Sequence, residues 1–139
     1  INDMAQKGFI ESAQTAAVDA AAITRFLHSA LAERARKAQM RRAEQPFCLR
    51  MSAKEAGLCE ASEESVIVQG VIDLCFLEDN RWIIVDYKTD RVSRQDASKA
   101  AQKYAVQLEL YAKALSRITH MDVAEKYIYF FETSETVLL

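Results

Sequence analysis

The chain has 139 residues, of which 50% are hydrophobic and 27% are charged, so it can form one domain with a real core but not two. Its formal charge of -2 argues against nucleic-acid binding through overall basicity, so any such contact needs a local basic patch. No apolar run reaches membrane-spanning length, and the N-terminus lacks a signal pattern. The chain begins at Ile1 rather than Met, and we therefore expect it to be a fragment of a longer protein.

The first third of the sequence favours helix. Residues 1–14 are weakly patterned, whereas 15–40 are rich in alanine and place apolar residues at helical spacing, namely Ile23, Phe26, Leu27 and Leu31. Asp19 and Ser29 are residue types that cap helix starts. This stretch predicts one helix, or two helices joined at Ser29.

The rest of the sequence predicts strands and one clear helix. We predict strands over 44–51, 65–77, 81–87, 126–132 and 136–139, a polar connection over 52–64, and a helix over 93–118. The helix carries an apolar stripe of Ala97, Ala100, Ala101, Tyr104, Leu108, Tyr111 and Leu115. The predicted fold is a single α/β domain with a central mixed sheet flanked by helices.

Three charged residues lie inside the two strongest strands. If Asp79 and Asn80 form the turn between them, paired positions sum to 159, and Asp73 then lies directly opposite Asp86. Lys88 is two residues beyond Asp86 and shares its face.

Both faces of this hairpin are largely apolar, so we expect helices on both sides of the sheet. By alternation, one face has Ile72, Leu74, Phe76, Ile83 and Val85, and the other has Val71, Cys75, Leu77, Trp82 and Ile84 with the three charges.

Two carboxylates placed across a strand pair repel each other. A raised pKa on one of them, or an ion pair with Lys88, would resolve the repulsion within the protein. The alternative that we favour is a divalent cation such as Mg²⁺ held between Asp73 and Asp86. Lys88 could then orient a water or stabilise charge on a phosphate, which is the minimum set for metal-assisted phosphodiester hydrolysis.

The predicted helix carries further candidates. Gln107 and Tyr111 lie one turn apart and either support the site or belong to the core. Lys99 and Lys103 continue the line of Gln107 at four-residue spacing, and with Arg91 they either contact DNA phosphates or form a solvated face. Weaker candidates are Arg41, Arg42 and Glu44, and the three cysteines (Cys48, Cys59 and Cys75) are expected to be reduced and buried, because their number and spacing disfavour a disulfide framework or zinc site.

The motifs around these residues resemble the nuclease domain of RecB/AddA-type helicase–nucleases in the PD-(D/E)xK superfamily, on the AddA side. The likeness covers about residues 15–139 and rests on "GVID" (70–73), "VDYKTDR" (85–91) and "QLELY" (107–111), with "EQPF" (44–47) and the terminal "YIYFFETSETVLL".

The resemblance implies a restriction-endonuclease-like fold and cleavage of DNA with Mg²⁺ or Mn²⁺. It implies that Asp73, Asp86 and the backbone carbonyl of Tyr87 bind the metal, that Lys88 is catalytic, and that Gln107 and Tyr111 form the family's helix motif. The parent would be a cytoplasmic, nucleoid-associated bacterial protein with an ATP-dependent helicase. It would act in double-strand-break repair with a second, AddB-like subunit, and it would not need a membrane.

One feature of the family is missing. Its upstream metal-ligand histidine has no match before Glu44, and we expect His28 and His120 to be structural or exposed. The missing ligand is therefore expected before Ile1, and the fragment alone could be inactive. Three scattered cysteines cannot supply the four-cysteine iron–sulfur cluster of some relatives, so we expect none.

Two rival functions stay open at the level of sequence. One is a non-catalytic DNA-binding or scaffolding domain that retains the nuclease fold. The other is a sequence-specific endonuclease built on the same core, which the AddA-like terminus disfavours.

Overall fold

The computed structural model describes residues 2–9, 11, 15, 18–58 and 62–139. Helices and strands follow in the order that the sequence predicts, with an additional short helix near the N-terminus. The helices are α1 (Asn2–Gln6), α2 (Ala20–Leu27), α3 (Ala30–Lys37), α4 (Ala97–Ala101) and α5 (Ala105–Thr119). The strands are β1 (Met40–Ser52), β2 (Ser65–Glu78), β3 (Arg81–Lys88), β4 (Val123–Phe130) and β5 (Glu135–Leu138).

The five strands form one mixed sheet in the order β1-β2-β3-β4-β5. The β3–β4 pair is parallel and the other pairs are antiparallel. A parallel pair needs a crossover connection, which α4 and α5 provide. The predicted central mixed sheet flanked by helices is therefore confirmed.

Helices cover both faces of the central strands, also as predicted. Phe26 and Leu31, from α2 and α3, pack with Phe76 and Val85 on one face. Leu115, from α5, packs with buried residues on the other face, which include Cys75, Leu77, Trp82 and Ile84. The central part of the sheet is thus buried on both sides, and a charge there has little access to water.

The first helical stretch divides at the predicted point. Asp19 and Ser29 cap α2 and α3 by accepting hydrogen bonds from the backbone of Ala22 and Ala32. Of the predicted apolar residues, Phe26 and Leu31 are buried, whereas Ile23 and Leu27 are exposed.

The single helix predicted over 93–118 is wrong in one respect. A 3₁₀ turn over Gln102–Tyr104 separates α4 from α5. The tighter turn changes the angular spacing of side chains across the break, so the four-residue line from Lys99 to Gln107 is not one stripe.

The face assigned to Ile72 is also wrong. Ile72 packs with Cys75 and Leu77 instead of with Leu74, and Val71 is exposed. The side-chain alternation changes at Asp73, opposite Glu44 of β1, which has a positive φ of 50°. The side-chain alternation shifts by one residue in β1 and in β2 at the same point. The two strands therefore keep their pairing, but the residues beyond this point lie on the face opposite to the one that strict alternation predicts.

The cysteines divide as well. Cys75 is buried, as expected, and burial raises the pKa of its thiol to about 11. Cys48 is exposed, so its predicted burial is wrong, because it lies on the uncovered side of edge strand β1. Cys59 lies outside the described residues. Within the described ranges, no helix is long and apolar enough to cross a membrane.

Candidate functional site

A two-residue turn sets the register of the central hairpin. Asp79 and Asn80 both have positive φ, 50° and 58°, as the twist-compatible hairpin turn requires. The pairs Leu74↔Val85 and Cys75↔Ile84 confirm the predicted register. Asp73 comes directly before Leu74 and Asp86 directly after Val85, so both aspartates adjoin the last pair of the hairpin.

Asp73 lies at the point where β2 changes its face. Its Oδ2 accepts a hydrogen bond of 2.7 Å from the backbone N–H of Tyr87. The carboxylate thus takes the place of a strand carbonyl, and this contact ties Asp73 to the residue between Asp86 and Lys88.

Asp86 is the buried charged residue of the described chain, with 2% of its surface exposed. Its Oδ2 receives no hydrogen bond from any described residue. Lys88 Nζ lies 2.7 Å from this oxygen and forms an ion pair with it. Burial raises the pKa of Asp86, the charge of Asp73 raises it further, and Lys88 opposes both effects.

Lys88 is held by contacts from a different element than Asp86. Its Nζ donates to Gln107 Oε1 at 3.2 Å. Gln107 Nε2 in turn donates to the hydroxyl of Tyr111 at 2.7 Å. The structure therefore joins Asp86, Lys88, Gln107 and Tyr111 in one chain of polar contacts between β3 and α5.

Tyr104 and Asp90 belong to the same site and were missed by sequence reasoning. The Tyr104 ring lies under Lys88, with Nζ 4.2 Å from the ring centroid. The Tyr104 hydroxyl donates to Asp90 Oδ2 at 2.7 Å, which raises the pKa of the phenol. The sequence offered one indication of this role, namely that Tyr104 lies one turn before Gln107. This spacing also fits the apolar stripe of the predicted helix, to which Tyr104 is assigned.

Gly70 explains part of the "GVID" pattern. A Cβ at this position would lie 3.0 Å from Cε1 and Cζ of Phe47 and 3.3 Å from Cε1 of Tyr111. The missing side chain lets both rings pack against the backbone of β2. Gly70 thereby supports the position of Tyr111, and through it the Gln107 amide.

The three predicted phosphate-binding residues come together outside this network. Arg91, Lys99 and Lys103 line an open cleft of about 300 Å³, together with Asp96. The cleft begins three residues after Lys88 and follows α4 and the 3₁₀ turn. It is a basic surface beside the buried site, not an extension of the Gln107 face.

The weaker candidates lie outside the network of Lys88. Glu44 is exposed. Burial and the charge of Asp73 raise the pKa of the Tyr87 phenol, Glu44 adds a smaller increase, and Arg41 opposes it. The Arg42 guanidinium lies over the Trp82 ring. His28 and His120 are exposed residues at the C-terminal ends of α2 and α5, as expected.

The donor set fits a small divalent cation held by few protein ligands. It offers two neighbouring carboxylates, one of them buried with an oxygen that lacks a hydrogen bond. Among the described residues, no group of three or more His, Cys, Asp or Glu side chains could hold a metal ion. A magnesium ion that keeps several waters needs no more than two carboxylates from the protein.

Comparisons with known proteins match nearly the whole length of the chain. The sequence model of the PD-(D/E)XK nuclease superfamily matches residues 2–137. The chain is similar to the A-type subunit of the ATP-dependent helicase/nuclease of Alkaliphilus oremlandii, at 36% identity over 141 residues. The corresponding proteins of Syntrophomonas wolfei and Alkaliphilus metalliredigens are 34% and 37% identical over 137 and 139 residues. These alignments cover 99% to 100% of this chain but only 11% to 12% of the relatives.

Proposed function

Since this chain belongs to the PD-(D/E)XK nuclease superfamily, we propose that it cleaves DNA strands by metal-dependent hydrolysis at Asp73, Asp86 and Lys88. The observation that carries the proposal is the state of Asp86. The Lys88 ammonium at 2.7 Å offsets one negative charge, but the charge of Asp73 also acts on this buried carboxylate, and a bound cation would compensate for the second charge.

Asp73 and Asp86 would hold Mg²⁺ or Mn²⁺, with the backbone carbonyl of Tyr87 as a further ligand. When bound, such an ion supplies a water of lowered pKa and neutralises charge on a phosphate oxygen. The hydrogen bond from the Tyr87 N–H fixes Asp73 for this role.

Lys88 brings a positive charge next to the carboxylates. Its ammonium can orient the attacking water or stabilise the negative charge that develops on the phosphate. Gln107 accepts from this ammonium and is itself fixed by Tyr111, so the lysine is placed before substrate arrives.

The DNA backbone would lie over the basic cleft. Arg91, Lys99 and Lys103 supply three cations beside the site, and neutralisation of phosphates is the main source of sequence-independent affinity for DNA.

The relatives suggest a larger context, which we also propose. Residues 1–139 would be one nuclease domain within an ATP-dependent helicase–nuclease that degrades DNA ends as an exonuclease in double-strand-break repair and recombination. Its ATP would act at the helicase, its second subunit would be AddB-like, and its place would be the bacterial cytoplasm at the nucleoid. A histidine outside this chain would complete the metal site.

The test compares Asp73→Asn, Asp86→Asn and Lys88→Gln in the full-length parent. We expect each carboxylate change to reduce Mg²⁺-dependent DNA cleavage by about 100-fold or more, because it removes a ligand to the metal. Lys88→Gln should reduce kcat by about 100-fold and leave metal binding, measured by titration with Mn²⁺, nearly unchanged.

Matched controls are available in the same hairpin and on the surface. Asp79→Asn makes the same chemical change at the far end of the strands, and Lys54→Gln removes an exposed lysine; both should cleave like the wild type. Full cleavage by Asp86→Asn would disprove the site. DNA binding by the wild type without any metal-dependent cleavage would favour the non-catalytic alternative.

A further inference from the structure

Lys88 has three partners, and they differ in what they would do when a metal ion binds. The Asp86 carboxylate is itself a proposed metal ligand, so its attraction for the ammonium weakens once it shares charge with a cation. The Gln107 oxygen at 3.2 Å and the Tyr104 ring at 4.2 Å do not depend on Asp86. A divalent cation nearby would also repel the ammonium, so the lysine needs such contacts to stay in place.

The Tyr104 ring is fixed at both ends. The 3₁₀ turn over Gln102–Tyr104 sets its backbone between α4 and α5. Its hydroxyl donates to Asp90 at 2.7 Å, two residues beyond Lys88 in the chain. Neither anchor is a proposed metal ligand, so both would stay in place when the metal binds.

We propose that Tyr104 is a positioning residue for the proposed nuclease reaction. Its ring face holds the Lys88 ammonium, and Asp90 anchors the ring through the hydroxyl. The proposal rests on the proposed function for its effect on cleavage, but the contact between ring and ammonium is a property of the chain itself. An aromatic face attracts a cation most where the cation is partly removed from water, and the Lys88 side chain is only 16% exposed.

Tyr127 offers a matched control on the opposite face of the sheet. Its ring also lies near a cation, with Arg34 Cζ 5.9 Å from the centroid, and its hydroxyl also donates to a carboxylate, Glu125, at 2.7 Å. Replacing it removes the same kinds of contact without touching Lys88.

The experiment measures Tyr104→Phe, Tyr104→Leu, Asp90→Asn and Tyr127→Leu in the full-length parent, with steady-state cleavage at saturating Mg²⁺. We expect Tyr104→Leu to lower kcat about 5- to 30-fold, the effect of removing a partly desolvated cation–π interaction, with KM for DNA within about twofold. Tyr104→Phe keeps the ring but loses its hydrogen bond to Asp90, and Asp90→Asn weakens the same anchor, so we expect each to lower kcat below that of the wild type, by less than Tyr104→Leu does.

A second readout does not depend on cleavage. The rate of chemical acetylation of Lys88, followed by peptide mass spectrometry with and without Mg²⁺, reports how well the amine is covered. We expect Tyr104→Leu to raise this rate at least about fivefold in Mg²⁺, Tyr104→Phe to raise it by less, and Tyr127→Leu to leave it near that of the wild type.

The outcomes separate this inference from the proposed function. A wild type that does not cleave DNA would overturn the proposed function, and the acetylation rates would still decide on Tyr104. Unchanged Lys88 acetylation in Tyr104→Leu would overturn the inference, as would a loss of kcat no larger than that of Tyr127→Leu.

Discussion

Asp86 is the residue on which the proposed function depends most, because it is a buried charge. It is buried in the centre of the sheet, and its ion pair with Lys88 does not satisfy Oδ2 with a hydrogen bond. Neighbouring Asp73 adds like charge. A buried ionisable group with a perturbed pKa and a specific charge partner is a candidate for a functional site, which is the role that we propose for Asp86.

The raised pKa of Asp86 gives a pH-dependent prediction for the metal-free chain. Because the folded pKa lies above the unfolded one, the stability from this group is fully present below the unfolded pKa and is lost as pH rises through the folded pKa. Asp86→Asn carries no such charge. The loss of the ion pair with Lys88 lowers the melting temperature of this variant, but we expect its melting temperature to rise relative to that of the wild type between acidic and neutral pH, because only the wild type gains a buried charge there.

At neutral pH, Mg²⁺ should change the difference in melting temperature in the opposite direction, in favour of the wild type. A ligand that binds only the folded state raises the melting temperature of the wild type and leaves Asp86→Asn unchanged. Asp79→Asn serves as the control that should follow the wild type in both conditions. A constant difference in melting temperature between Asp86→Asn and the wild type at every pH would contradict the assignment of the pKa shift.

At the scale of elements, the hairpin turn decides whether the two carboxylates meet. A slip of one residue in the strand pairing would move one of them to the other face of the sheet. The turn at Asp79 and Asn80 therefore controls the geometry of the site, although it lies at the far end of the strands. Both turn residues adopt positive φ, which costs least for glycine.

Asn80→Gly should therefore strengthen the hairpin, since Asp-Gly is a preferred sequence for this turn. We expect the free energy of unfolding in urea to rise by about 0.5–1 kcal/mol, with unchanged Mn²⁺ affinity. Asn80→Val should lower it by about 1–2 kcal/mol, because a β-branched residue is poorly accommodated at positive φ. Equal stability of both variants would show that the turn does not adopt the described conformation.

The helical elements show where reasoning from sequence stops. The caps at Asp19 and Ser29 are local hydrogen bonds, and the sequence predicts them correctly. The 3₁₀ turn before α5 lies within a stretch whose residues all favour helix. Its position is consistent with the packing of Tyr104 against Lys88, which no local pattern contains.

For the whole molecule, the distribution of charge matters more than its sum. The net charge of -2 would repel DNA weakly, yet Arg91, Lys99 and Lys103 gather on one side of the buried site. Local fields of this kind act on a polyanion within about a Debye length of the surface, roughly 8–10 Å at moderate salt.

Replacing Arg91, Lys99 and Lys103 together by Gln should weaken DNA binding without affecting the chemistry. We expect the slope of log K for DNA binding against log salt concentration to become shallower by about 2–3. Each phosphate that is no longer neutralised contributes about 0.7–0.9 to this change. A control variant changes Lys37, Lys54 and Lys113, three exposed lysines outside the cleft. Equal slopes for the two variants would contradict a specific role of the cleft.

The sequence by itself determined the order of the elements and the register of the β2–β3 hairpin. Both follow from interactions between neighbours in the chain, namely the two-residue period of a strand and the residue types of a tight turn. The motifs around them were sufficient to identify the superfamily.

Only the tertiary structure decided the change of face at Glu44 and Asp73, the burial of Asp86, and the contact of Tyr104 and Asp90 with the site. Each of these depends on segments brought together by the packing of the sheet and α5. Side-chain packing between distant segments is not encoded in any local period, so the sequence pattern could not contain it.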